Sequence, residues 1–188
     1  MKSKKIEQKQ ITHAFIDASN IIYGARAQGW FIDQQKLFQY LKKKFNISKA
    51  FFYYGKDSKN EKQEKFLKKL KTFGYTLRVK EIKRFGKRVK ANCDVDLTMD
   101  MLIMIKEYKR AVVLTGDGDF APLFLYLISK KKKKIVVISS PKRTAKEIRT
   151  LLGGNVLSFD DLRYLLEYEK NQKKEGGPKV VPSLSVMK

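Results

Sequence analysis

The sequence predicts an α/β protein, a three-layer sandwich in which helices cover both faces of a central parallel sheet of about five or six strands. Short apolar runs that end at turn residues alternate with longer segments whose apolar residues recur at helical spacing. This alternation is typical of βαβ units, and right-handed crossovers between parallel strands place helices on both faces of the sheet.

The strands are predicted from apolar runs rich in β-branched and aromatic residues. The first run, HAFID, is short and ends at Asp17, a turn-type residue. The fourth run, AVVLTG, is β-branched and enters a glycine-rich turn. The predicted strands are 13–17, 50–54, 75–82, 111–116, 134–140 and 155–159.

The helices are predicted from apolar residues that repeat every three or four positions between lysines. Asp33 is a typical N-cap for the first of them, and Gly74 is a typical C-terminal stop for the second. Residues 85–92 are interpreted as a basic connector around a central glycine. The predicted helices are 33–45, 60–74, 94–108, 119–130, 144–152 and 160–170.

One domain is expected over residues 11–169, after a basic N-terminal extension at 1–10. Residues 170–188 are rich in Lys, Gly and Pro and lack an apolar period, which predicts a disordered basic tail. The chain has no 18-residue apolar run and no secretory segment, so we expect a cytoplasmic protein without membrane contact. The single cysteine, Cys93, excludes an intramolecular disulfide and a multi-cysteine zinc site.

The charge of the chain indicates a polyanionic partner. Lys and Arg number 42 against 19 Asp and Glu, a formal net charge of +23. Such an excess favours nucleic acid as the partner, although a generally lysine-rich composition is the alternative. The residues expected to contact the phosphate backbone are Lys83, Arg84, Lys87, Arg88, Lys90, Lys142 and Arg143.

Four aspartates stand at the ends of predicted strands or at the start of a helix: Asp17, Asp94, Asp117 and Asp119. They would converge if the strands before Asp17 and Asp117 were parallel neighbours, at the sheet edge where α/β proteins bind ligands. Ionised carboxylates that lie together raise each other's pKa unless cations intervene, which favours one or two Mg²⁺ or Mn²⁺ ions. The pattern therefore indicates metal-assisted phosphoryl-transfer chemistry, although each aspartate alone also suits a turn or a cap.

Two further aspartates lie in the helix predicted at 94–108. Asp100 stands among apolar residues, where an ionised carboxylate is costly to bury, so it is expected to point inward and to support the metal ligands. Asp96 is four residues earlier on the same helical face and is expected to bind metal directly or through water.

The residues that are absent narrow the chemistry. His13 is the single histidine, which excludes a two-histidine acid–base nuclease, and a lone histidine is more often structural than catalytic. The sequence contains no P-loop and no GxGxxG motif between a strand and a helix. Carboxylates with a metal ion remain as the source of catalysis.

Three blocks, FIDASNI, KANCDVDLTMDML and LTGDGDF, resemble in this order and spacing the NYN domain, the LabA-like branch of the PIN-like nuclease superfamily. The resemblance covers residues 13–166. It implies a ribonuclease dependent on Mg²⁺ or Mn²⁺, with acidic residues at the carboxyl ends of parallel strands. The positions that match the family's site are Asp17, Asn20, Asp94, Asp117 and Asp119.

The hypothesis from sequence is a metal-dependent ribonuclease that hydrolyses RNA phosphodiester bonds. The alternatives are an RNA-binding module with a vestigial or weak metal site and a toxin-type endoribonuclease. Tyr23, Trp30 and Phe31 are candidates for stacking on unpaired bases, although core packing is commoner for such residues. The identity and structure of the RNA, single-stranded or folded, and the formation of a homodimer stay open.

Overall fold

The computed structural model describes residues 10–169 with gaps at 58–59, 86–87 and 91–92. The predicted extension at 1–10, apart from Gln10, and the predicted tail at 170–188 therefore lie outside the described residues. Eight strands are assigned: β1 (Thr12–Asp17), β2 (Ile47–Lys56), β3 (Thr76–Glu81), β4 (Lys83–Phe85), β5 (Arg88–Lys90), β6 (Arg110–Leu114), β7 (Lys134–Ser139) and β8 (Val156–Ser158).

Six of these strands form one parallel sheet in the order β3-β2-β1-β6-β7-β8, while β4 and β5 pair antiparallel in a separate hairpin. The predicted α/β class and strand number are confirmed. The sheet lies between helices α1 (Ala18–Ala27), α2 (Gln34–Phe45), α3 (Glu61–Phe73), α4 (Asp94–Ile103), α5 (Ala121–Ser129), α6 (Lys146–Leu152) and α7 (Arg163–Leu166).

Two apolar layers hold the helices against the sheet. Ala14 and Ile16 of β1 face a core with α1, α2, α3 and α7, whereas Phe15 faces a core with α4, α5 and α6. Every residue of β1 is buried, as expected for a central parallel strand covered on both faces.

The order in which the chain adds strands to the sheet reverses between β1 and β6. From β1 the chain builds β2 and β3 on one side, and β6, β7 and β8 stand on the other. In such a sheet, the crevice outside the carboxyl ends of the two central strands is the usual ligand position. Asp17 ends β1, and the loop that begins at Thr115 follows β6 directly, so both lie at this crevice, called the acidic edge below.

Helix α1 was not predicted, because Gly24 and the small residues of this segment obscure its apolar period. Asp17 is itself the N-cap, and its side chain accepts a hydrogen bond from the backbone N of Asn20. The turn expected after the first strand is therefore the start of a helix, a position where an aspartate satisfies an otherwise unpaired backbone donor.

Other helix boundaries also differ from the prediction. The helix predicted to reach residue 108 ends at Ile103, and Tyr108 is instead buried, with its hydroxyl donating to the carbonyl O of Met101 at 2.8 Å. The helix predicted at 160–170 is limited to α7. The connector predicted at 85–92 contributes to the β4–β5 hairpin. Within the described residues, no helix is long and apolar enough to cross a bilayer.

Candidate functional site

The Asp17 carboxylate is the most buried acidic group of the acidic edge, with the residue only 7% exposed. Its Oδ1 accepts hydrogen bonds from the Ser19 hydroxyl at 2.6 Å and from the Asn20 backbone N at 3.2 Å. Its Oδ2 accepts a longer hydrogen bond from the Thr115 hydroxyl at 3.4 Å. Three uncharged donors therefore fix the position of this carboxylate.

The loop after β6 is tied to the start of α1 through side chains. Asn20 Oδ1 accepts from the backbone N of Gly116 at 3.2 Å, and Thr115 Oγ1 accepts from the backbone N of Asp117 at 3.3 Å. Asp117 Oδ1 in turn accepts from the backbone N of Asp119 at 3.0 Å. Asp17, Asn20 and Asp117 are thus joined in one network across β1 and β6.

Burial raises the pKa of the Asp17 carboxyl above its ordinary value of 3.8, and the charge of Asp117 raises that pKa further. The hydrogen bonds from Ser19, Asn20 and Thr115 act in the opposite direction. Among the lysines and arginines whose side chains the structure describes, a set that leaves out residues 83–92, none forms an ion pair with Asp17, Asp117 or Asp119. An ionised carboxylate buried here consequently lacks a cation from these parts of the chain.

Gly116 is required by a close approach between two loops. A Cβ atom at this position would lie 2.3 Å from the carbonyl O of Arg143 and 2.4 Å from the Ser139 hydroxyl. The backbone N of Ala145 donates to the Gly116 carbonyl O at 2.9 Å. The loop bearing Asp117 is therefore packed directly on the segment that follows β7.

That segment brings predicted and unpredicted side chains to the acidic edge. Arg143 and Lys142 lie in an exposed 3₁₀ turn, and the Arg143 Cδ is 3.6 Å from where a Cβ on Gly24 of α1 would stand. Glu147 was not predicted, yet its Oε2 lies 3.5 Å from the Cβ position of Gly118. Glu147 lies in the exposed first turn of a helix, and nothing in the surrounding sequence predicts that it approaches Gly118.

Asp96 and Asp100 have cationic partners on β3. Asp96 Oδ2 accepts from Lys80 Nζ at 2.8 Å. Asp100 Oδ2 accepts from Arg78 Nε at 2.6 Å and from the Tyr53 hydroxyl at 2.9 Å. The structure therefore gives both carboxylates structural contacts, and the roles predicted for them at a metal stay predictions.

Asp94 is the first residue of α4, and Cys93 directly precedes it. Burial raises the pKa of the Cys93 thiol to about 11, with a further contribution from the charge of Asp96 and smaller ones from Asp17 and Asp94. These charges act on one thiol because the start of α4 lies near the end of β1. Asp94 is therefore on the same side of the sheet as Asp17.

The carboxylates share an edge without forming a complete metal site. In the parts of the chain that the structure describes, no three histidine, cysteine, aspartate or glutamate side chains are grouped to hold a metal ion. Mg²⁺ retains several waters and takes only one or two carboxylates directly. The network of Asp17 and Asp117 fits that requirement.

His13 lies at the start of β1, at the other end of the strand from Asp17. It is 2% exposed, its ring packs near Phe51 and Tyr108, and its Nε2 is 3.7 Å from Glu107 Oε2. These contacts make the histidine part of the core, and the acidic edge contains no imidazole.

The basic residues predicted to contact RNA before α4 fall on the β4–β5 hairpin. Lys83 and Arg84 lie in β4, and Arg88 and Lys90 lie in β5, while Lys87 lies outside the described residues. The hairpin ends at Lys90, four residues before Asp94 at the start of α4.

Fold and site together define an α/β protein with acidic residues at the carboxyl edge of a parallel sheet. The chain belongs to the NYN domain family, whose model matches residues 12–151. This assignment confirms the resemblance found in the sequence. The family is part of a nuclease superfamily whose members generally use divalent metal ions and act on nucleic acid.

Two similar proteins span nearly the whole chain. The Low amplitude and bright protein LabA of Synechococcus elongatus is 29% identical over 180 residues, covering 90% of this chain and 95% of that protein. A crystal structure of a Vibrio parahaemolyticus protein of unknown function is similar in fold, with a TM-score of 0.75 and 23% identity. That match covers 87% of this chain and 99% of the other.

Proposed function

We propose that the protein is a metal-dependent ribonuclease that hydrolyses RNA phosphodiester bonds at the acidic edge. The observation that carries this proposal is the Asp17 carboxylate, which is buried, joined to Asp117 through Thr115, and hydrogen-bonded by uncharged donors. A folded chain keeps such a group ionised at a cost unless a cation binds beside it. Family membership supports a nuclease as the class of enzyme.

The donor set suits one or two Mg²⁺ or Mn²⁺ ions, because these hard cations prefer carboxylate oxygens and water. Asp17 and Asp117 are the proposed ligands, with Asp94 and Asp119 at the same edge as further ligands or as acceptors for metal-bound water. When bound, such an ion activates a water molecule and stabilises charge on the phosphate oxygens.

The remaining groups of the site have roles that follow from their hydrogen bonds. Ser19 and Thr115 orient the Asp17 carboxylate, since both hydroxyls donate to it. Asn20 Oδ1 accepts from the Gly116 N, and the side-chain Nδ2 is the proposed uncharged donor for a phosphate oxygen. An amide at this position adds no repulsion to the acidic edge.

RNA binding is proposed to come from basic residues that flank the acidic edge. Lys142 and Arg143 lie in the turn after β7, and the β4–β5 hairpin precedes α4 in the chain. Phosphate contacts of this kind fix the position of a strand without reading its sequence. RNA affinity should consequently fall steeply as salt rises, because binding releases counterions.

The direct test is incubation of the protein with labelled RNA in Mg²⁺ or Mn²⁺, with an EDTA control. Cleavage should require the metal, and Asp117→Asn should abolish it while RNA affinity stays within a few-fold. Undiminished cleavage by Asp117→Asn would contradict the proposal. RNA binding with no cleavage under any metal would favour an RNA-binding module with a weak metal site.

A further inference from the structure

A groove with an aromatic wall lies on the side of the sheet covered by α1, α2 and α3. Phe31 and Tyr168 form part of its lining and are 45% and 47% exposed. The backbone N of Tyr168 donates to the Phe31 carbonyl O at 2.8 Å, which holds the two residues side by side. Phe66 and Phe73 of α3, both partly buried, also line the groove.

The volume of the groove, about 160 Å³, indicates a small ligand group. Pockets for drug-sized molecules have volumes of roughly 300–1,000 Å³. A groove below that range and bordered by four aromatic side chains suits one planar ring. It does not suit an extended helix face.

The groove is also basic. Arg26 of α1 and Lys65 and Lys69 of α3 are among its lining residues, and Lys69 Nζ lies 5.7 Å from the centre of the Phe73 ring. The acidic lining residue is Asp33, whose Oδ1 accepts from two backbone N–H groups at the start of α2. Its charge is therefore held at a helix terminus, and the groove complements an anionic ligand with a flat ring.

Helix α1 connects the groove with the acidic edge. Asp17 caps this helix, whereas Ile22 and Arg26 line the groove. At about 1.5 Å per residue, these two positions lie roughly 8 Å and roughly 14 Å along the helix from Asp17. A nucleic-acid strand with a phosphate at the acidic edge needs few nucleotides to reach the groove.

We infer that the groove binds an unpaired nucleobase of a single-stranded RNA whose backbone continues to the acidic edge. The base stacks against Phe31 and Tyr168, and Lys65, Lys69 and Arg26 attract the adjoining phosphates. Aromatic platforms combined with a basic groove bind single strands with little sequence preference. The identity of the ligand as RNA rests on the proposed function.

The other aromatic residues singled out in the sequence are less suited to this role. Trp30 is 1% exposed and stacks on Phe159 with ring centres 5.4 Å apart, so core packing, the commoner role for such a residue, is confirmed for it. Tyr23 is half-buried, and burial raises the pKa of its hydroxyl. Phe31 is the member of the three with a large exposed face.

The test is fluorescence anisotropy with a labelled oligoadenylate of about a dozen nucleotides in EDTA at about 100 mM KCl. Phe31→Ala and Tyr168→Ala should each raise the Kd about tenfold, because each removes a stacking face. Phe31→Leu should raise it similarly while it keeps the apolar volume, and Tyr168→Phe should retain the wild-type Kd. Thermal melts identify any variant that does not fold.

Matched controls lie close in sequence to the groove residues and outside the groove lining. Tyr164→Ala removes an aromatic side chain that is 79% exposed, and it should leave the Kd within about twofold. Lys69→Ala should weaken binding and reduce its salt dependence more than Lys68→Ala, since Lys69 lines the groove.

EDTA separates this inference from the nuclease proposal, because binding is measured without cleavage. Wild-type affinity in both Phe31→Leu and Tyr168→Ala would overturn the groove assignment, even if Asp117→Asn still abolished cleavage. Loss of affinity in those variants would uphold it, even if no metal supported cleavage. A dimer that Phe31→Leu dissociates without a change in RNA affinity would identify a second copy as the occupant and also overturn it.

Discussion

Asp96 and Asp100 of α4 differ from Asp17 and Asp117 at the acidic edge in what surrounds their charge. Asp96 and Asp100 receive short hydrogen bonds from the lysine and the arginine of β3, at 2.8 and 2.6 Å. Asp17 is more buried than either, yet its three donors are two hydroxyls and one backbone N–H group. Asp117 Oδ1 likewise accepts from an uncharged donor, the backbone N of Asp119.

This difference separates the carboxylates that already have a cationic partner from those that we propose to bind metal. A carboxylate with a cationic partner already has its charge compensated, whereas a buried one with uncharged donors is stabilised further by any cation that binds. The chain has 42 lysines and arginines, so cations are not scarce. Among the side chains that the structure describes, none of these cations pairs with Asp17 or Asp117, which supports the proposed binding of a cation from solution.

The largest expected effect is on the cleavage rate, and it tests the difference between the two groups of aspartates directly. Asp17→Asn should lower the rate of metal-dependent RNA cleavage about 100-fold or more, because it removes a proposed ligand. Asp96→Asn is the matched control and should change the rate by no more than a few-fold. Single-turnover assays on labelled RNA give both numbers, and an equal loss in Asp96→Asn would remove the distinction between the two groups.

Two glycine-to-alanine substitutions test the rigidity of the acidic edge. Gly116→Ala should destabilise the fold by about 1–3 kcal/mol, because the new Cβ would stand 2.3 Å from the Arg143 carbonyl O. Gly24→Ala meets Arg143 Cδ at an ordinary 3.6 Å inside α1, so it should stabilise by roughly 0.5–1 kcal/mol. Urea unfolding measures both, and a neutral Gly116→Ala would show that the loop can move.

The charge pairs on α4 should affect stability and not cleavage. Arg78→Ala should cost about 1–2 kcal/mol, since it leaves Asp100, which is 18% exposed at its side chain, without its cation and removes a contact over Phe51. Lys80→Ala should cost less, roughly 0–0.5 kcal/mol, because Lys80 and Asp96 are both about half-exposed. Denaturant titrations would contradict this ranking if Lys80→Ala cost more.

The smallest expected effect is a dependence of stability on pH. The folded-state pKa of Asp17 lies above its ordinary value of 3.8, so its contribution to stability is present below 3.8 and is lost as pH rises through the raised pKa. In the absence of metal, the melting temperature of Asp17→Asn relative to that of wild type should therefore increase as the pH rises from acidic to neutral. Melting curves across this interval in EDTA test the sign, and a relative loss would contradict it.

The fold was largely predictable because the central strands β1, β2, β6 and β7 carry apolar runs and most helices carry a clear apolar period. Helix α1 was missed because its N-cap, Asp17, also suits a turn and Gly24 interrupts its pattern. The residues that end β1 and follow β6 could be placed at one edge from strand adjacency alone.

The partners of those residues could not be predicted from sequence. Arg78 and Lys80 reach the aspartates of α4 only because β3 packs beside this helix in three dimensions. The contact of Gly116 with the segment after β7 and the approach of Glu147 to Gly118 depend on how distant loops meet. Sequence periodicity predicts which residues are buried and which face of a helix or strand they occupy. It does not predict which side chains of distant segments meet.

Binding of Mn²⁺ to the protein without RNA tests the central claim most directly. Titration followed by electron paramagnetic resonance should show bound Mn²⁺ in wild type and in Asp96→Asn, and much weaker binding in Asp17→Asn and Asp117→Asn. Equal Mn²⁺ affinity in all four proteins, or a loss confined to Asp96→Asn, would contradict the account of the acidic edge as the metal site.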